Sequence, residues 1–71
     1  MRVISTTDLS RAGRGCYIRE SISLMKQFET YFIIRCQRIS GLPNKEIVDT
    51  VFYSTKCGEA MEKYYSLGGT L

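Results

Sequence analysis

The stretch CYIRESISLMKQFETYFIIRCQRI, residues 16–39, decides how this chain is read. Ile18, Ile22, Met25, Phe32, Cys36 and Ile39 recur at separations of three, four and seven, and Leu24, Phe28 and Tyr31 widen the stripe. That is the spacing of one apolar face of an α-helix. Glu20 lies early, while Arg35 and Arg38 lie late, which suits the helix macrodipole. The spacing predicts one long helix over about 16–39. Its last turns are apolar nearly all round, wider than a small monomer needs. Ile22, Met25, Phe28 and Phe32 are therefore expected to face a second copy or a protein partner.

Downstream, Ser40-Gly41-Leu42-Pro43-Asn44 reads as a helix stop followed by a start. Ile47, Val48, Val51 and Phe52 give a second helix, about 43–52, one apolar face. A third helix is expected over about 55–67, capped by Ser54 or Thr55. Cys57, Met61, Tyr64 and Leu67 line its buried side, with Lys56, Glu59, Lys63 and Ser66 opposite. Gly68-Gly69 ends it. Upstream, residues 1–15 read as a basic arm. Within it Arg2-Val3-Ile4-Ser5-Thr6 is a short strand or an extended arm, Thr7-Asp8-Leu9-Ser10-Arg11-Ala12 is one helical turn capped by Thr7 or Asp8 and stopped by Gly13, and Arg11-Ala12-Gly13-Arg14-Gly15 is either a nucleic-acid-binding arm or a loop between elements. The expected fold is all-α: a small three-helix domain with a helix-turn-helix-like C-terminal half.

A chain of 71 residues is one domain at most. At this size a core is marginal, so self-association or docking on a partner is a natural source of further stability. The absence of histidine removes the commonest general base and metal ligand. Cys16, Cys36 and Cys57 form no close pair, so neither a zinc site nor a disulfide framework is expected. No nucleophile motif or phosphate loop occurs. The chain is read as a binding protein with no cofactor, not an enzyme. It shows no secretory or membrane-spanning segment, which points to the cytoplasm. Its net charge of +3 is uneven. Residues 1–40 carry seven cations against three acids, and residues 41–71 carry three against four. A basic half suggests an anionic partner.

The segment Gly41-Leu42-Pro43-Asn44-Lys45-Glu46-Ile47, followed by Phe52-Tyr53-Ser54-Thr55-Lys56 and closed by Leu67-Gly68, resembles the LuxR/GerE-type helix-turn-helix family. The resemblance covers residues 41–68. It implies a scaffold helix, a tight turn and a recognition helix presenting Thr55, Lys56 and Glu59 to a DNA major groove, with Lys63 nearer a phosphate. Asn44 and Lys45 would touch the backbone. Arg2, Arg11, Arg14 and Arg19 would supply the phosphate grip that a near-neutral reading helix lacks. The expectation is a dimeric DNA-binding transcriptional regulator. The alternative is a protein-binding module or inhibitor, a phage- or plasmid-type modulator of a host protein, acting through the apolar stripe. RNA binding by the arginine–glycine segment is a third reading.

Overall fold

The computed structural model describes residues 2–39 and 46–70. They form an antiparallel sheet roofed on one side by a single helix. The strands are β1 (Arg2–Asp8), β2 (Arg11–Gly13), β3 (Cys16–Gln27), β4 (Thr30–Ile39) and β5 (Glu46–Ser54), and the helix is α1 (Cys57–Ser66). Spatial order is β1-β3-β4-β5, with β2 beside β3. The pairs Asp8↔Ser21 and Arg11↔Ile18 keep one register, so β1 and β2 are a single edge strand interrupted at Leu9 and Ser10. The sheet is thus a four-column meander.

The all-α expectation is wrong, and with it the long helix, the scaffold helix and the helix-turn-helix. Residues 16–39 are the β3–β4 hairpin, not a helix. A separation of four positions satisfies a period of two as well as one of 3.6. Ile18 and Ile22, or Phe32 and Cys36, therefore fit a strand equally well. The hairpin closes at Gln27↔Thr30 through a two-residue turn of Phe28 and Glu29. Neither residue is an ordinary turn former, and Phe28 adopts φ 55°. The scaffold helix expected over 43–52 is overturned by β5, whose Ile47, Val48, Thr50 and Val51 are β-branched and favour a pleated surface. Residues 40–45, including Asn44 and Lys45, lie outside the described residues. Of the two readings of residues 2–6 the strand holds, within β1, whereas the helical turn expected over 7–12 gives way to the end of β1, the interruption at Leu9 and Ser10, and β2; Arg14-Gly15 is the tight turn into β3, with Gly15 at φ 68°.

α1 lies within the span read as a third helix, but differs in detail. Its N-cap is Lys56, with no side-chain cap. Its buried residues are Ala60 and Tyr64, while Cys57 is exposed. At its end Gly69 N–H donates to Tyr64 O and Gly68 N–H to Tyr65 O, with Gly68 at φ 95°. This is a Schellman stop, which glycine makes without strain. It turns the chain so that Thr70 reaches β1. Thr70 N–H donates to Thr7 Oγ1, and Ser5 Oγ donates to Thr70 O.

The core is small: Ile22, Leu24, Ile33, Ala60 and Tyr64 are the buried side chains, with Leu9, Tyr31, Val51, Phe52 and Met61 packed around them. Strand residues of this core face α1, as the period-two geometry requires. A ten-residue helix is about 15 Å long, whereas the molecule extends 40 Å. The helix roofs only the half of the sheet near the Phe28 turn. Beyond it Arg11 pairs with Glu20, Gln37 donates to Glu20, and Arg35 pairs with Asp49 on the helix side.

Candidate functional site: the open sheet face

The side chains between the core positions all lie on the face that α1 does not cover. The register places them in rows across the columns. Nearest the Phe28 turn, Val3, Met25, Phe32 and Tyr53 form one row. The next is Thr6, Ser23, Ile34 and Thr50. Then come Asp8, Ser21, Cys36 and Val48, and last Arg19, Arg38 and Glu46.

The first row is apolar across all four columns. Phe32 and Tyr53 contact each other, with ring centroids 6.5 Å apart and planes tilted by 35°. Tyr53 is 71% exposed and Val3 54%. Phe28, at the turn beyond this row, is 87% exposed. A left-handed backbone costs an L-residue roughly 1–2 kcal/mol, and glycine is the usual occupant of such a turn. The chain thus holds a phenylalanine in a costly conformation and leaves it in solvent. The second row is made mostly of small hydroxyl residues, with Thr6 Oγ1 and Ser23 Oγ 3.0 Å apart. Small side chains beside large ones make a step in the surface.

The far end is polar and balanced in charge. Arg19 lies directly opposite Arg38, and Arg38 opposite Glu46. Like charges facing across a strand pair are unfavourable, and neither arginine forms an ion pair among the described residues. The nearby carboxylates are engaged locally. Ser10 N–H donates to Asp8 Oδ1 at 2.9 Å. Hydrogen bonds from the Ser10 side chain and backbone, aided by the charge of Arg19, hold the Asp8 carboxyl below the usual carboxylate range against a small desolvation effect. Glu46 Oε1 accepts from the Cys36 thiol at 2.8 Å. That hydrogen bond, then burial and the charge of Glu46, raise the Cys36 thiol. A shallow cup of about 250 Å³ lies between these groups.

The residues expected to contact DNA are scattered. Thr55 and Lys56 precede α1, and Glu59 and Lys63 line a groove of about 280 Å³ between α1 and Phe52, on the helix side. Arg19 is on the opposite face, Arg11 is paired with Glu20, Arg14 sits in the β2–β3 turn and Arg2 begins β1. No single surface collects them. Of the expected partner-facing residues, Ile22 is in the core. Met25 and Phe32 are neighbours in the apolar row, and Phe28 sits at the turn beside it. Val3 and Tyr53 were missed: each is one apolar residue in a separate segment, and only the register joins them to Met25 and Phe32.

No group of His, Cys, Asp and Glu among the described residues could hold a metal ion. Among those residues, no helix is long and apolar enough to cross a membrane. No family model, curated protein or solved structure matches this chain.

Proposed function

We propose that this chain is a protein-interaction module that docks through the turn-proximal half of its open sheet face and acts by occupancy rather than chemistry. The observation that carries this is the registered row Val3, Met25, Phe32 and Tyr53, apolar across every column, on the side away from α1. Aromatic and methionine side chains with few charges are the composition of interface centres. The far end supplies both signs, Arg19 and Arg38 with Asp8 and Glu46, which suits the mixed polar rim of a protein partner. The same balance opposes a polyanion, whose binding depends on net positive charge.

The test is a photo-crosslinking residue at position 53 in cells that produce the protein, with position 65, on the outer side of α1, as control. A discrete adduct from position 53, absent from position 65 and lost in a Met25→Glu variant that still folds, is the expected result. No adduct from position 53, or equal adducts from both positions, would overturn the reading.

A further inference from the structure

We infer that the occupant of this face is a second copy of the same chain, related by a two-fold axis lying in the face and running along the apolar row. The inference rests on the docking reading above and names its partner. Three observations select the second copy and the placement of the axis.

The first is the distribution of charge. A two-fold axis along the strands would lay Arg19 over the partner's Arg38, stacking like charges that form no ion pair among the described residues of either copy. A two-fold axis across the middle of the strands would lay the apolar row over the charged row, burying Arg19 and Arg38 against Phe32 and Met25. Both arrangements desolvate charge without pairing it. Moving the axis to the apolar row sets Val3, Met25, Phe32 and Tyr53 over their own copies and leaves both charged ends outside the overlap. Contact of a patch with itself is what a two-fold interface requires.

The second is the Phe28 turn. With the axis on the apolar row, the turn of one copy extends past that row onto the partner's next rows. Those rows hold Ser23 and Ser21 on β3 and Ile34 and Cys36 on β4, with Thr6 and Thr50 at the flanks. On β3 these small residues leave room for a turn side chain as exposed as Phe28. The cost of φ 55° and the exposure of 87% then have a single reason: the side chain is held ready for the other copy.

The third is area. The overlap runs from Phe28 at the turn back to the level of Ile22, as far behind the apolar row as the turn is beyond it, about seven residues or roughly 23 Å at ~3.3 Å each. The molecule is 21 Å across in its second dimension. That gives on the order of 480 Å² per copy and ~970 Å² in total, the size of a weak, transient contact rather than of a standard specific interface. The dimer is accordingly reversible and weak, with a dissociation constant on the order of micromolar.

Sedimentation equilibrium of the full chain, from roughly 1 to roughly 500 μM, tests this. The weight-average mass should climb from the 8.1 kDa of one chain towards twice that value. Tyr53→Glu and Phe28→Gly each change a side chain that is more than two-thirds exposed, so both variants should fold. Each should weaken association by roughly tenfold or more at unchanged far-ultraviolet circular dichroism, and Tyr65→Glu should not. A one-chain mass at every concentration overturns the inference, as does a dimer indifferent to both variants. If the protein stays monomeric while position 53 still crosslinks to a different protein, the occupant is wrong and the docking face stands. If both experiments fail, both readings fall.

Discussion

The hydroxyl oxygen of Tyr64, near the end of the helix, lies 2.7 Å from Thr7 Oγ1 in the first strand. The same hydroxyl is 3.4 Å from Ser5 Oγ and from Ile22 O. One buried phenol thus ties the helix to β1 and β3. Tyr64→Phe keeps the ring and deletes this network, leaving Thr7 with Thr70 alone. The loss should be about 1–2 kcal/mol. In thermal denaturation the midpoint should fall by roughly 5–12 °C for a domain of this size.

Gly69 and Gly58 should respond in opposite ways to alanine. A Cβ on Gly69 would sit 2.5 Å from Tyr64 Cδ2, against a fully buried ring that has nowhere to move. Gly69→Ala should cost about 2 kcal/mol or more, as overpacking does. A Cβ on Gly58 meets nothing within 4 Å. Gly58→Ala, within the first turn of α1, should gain up to about 1 kcal/mol. Urea melts of the two variants read both signs.

Phe28→Gly should stabilise the monomer by roughly 1 kcal/mol, because glycine adopts the turn's positive φ without steric cost. Gain in stability with loss of self-association is the signature expected of a residue kept for contact. The midpoint of unfolding, measured at a concentration where the protein is monomeric, provides the check.

Cys36 should react slowly with iodoacetamide near pH 8.5, because its raised pKa keeps the thiol protonated. Glu46→Gln removes the charge and weakens the hydrogen bond that raise it. More thiolate then forms at the same pH, so alkylation at Cys36 should accelerate. Peptide mass mapping resolves it from Cys16 and Cys57. An unchanged rate would mean that burial, not Glu46, controls the thiol.

Asp8 gives a pH signature of definite sign. Its carboxyl titrates lower in the folded chain than in the unfolded one. The stabilisation is present above the ordinary carboxylate range and disappears as pH falls through the lowered folded value. Asp8→Ala should therefore melt below the native sequence at pH 7. The two curves should draw together as pH falls through the ordinary carboxylate range and meet only below the lowered value of the folded chain, where the carboxyl is protonated in both states.

The helix at the C-terminal end was legible because its stop signal is local: Gly68-Gly69 marks it without reference to any other segment. The sheet was not. In β3 the core positions Ile22 and Leu24 alternate with Ser21 and Ser23, a strand pattern, yet the four-position separations in the same run also fit a helix. In β4 the run Tyr31-Phe32-Ile33-Ile34 is apolar on both faces, because one face meets α1 and the other is open but apolar, so alternation is erased there. The turn between them is carried by Phe28 and Glu29, which announce nothing. Met25, Phe28 and Phe32 stood out as a group of apolar residues with surplus surface. Their assembly with Val3 and Tyr53 depends on pairing across strands far apart in sequence, which no single segment encodes.

The helix that roofs the sheet follows all five strands in chain order. During synthesis all five strands precede Tyr64 out of the ribosome. Ile22, Leu24 and Ile33 therefore have no cover at the moment the meander can first pair. For that interval the nascent sheet is greasy on both sides, and its two faces compete for whatever apolar surface comes near. Arrival of Ala60 and Tyr64 breaks the tie by claiming one side, which fixes the other as the side offered to company.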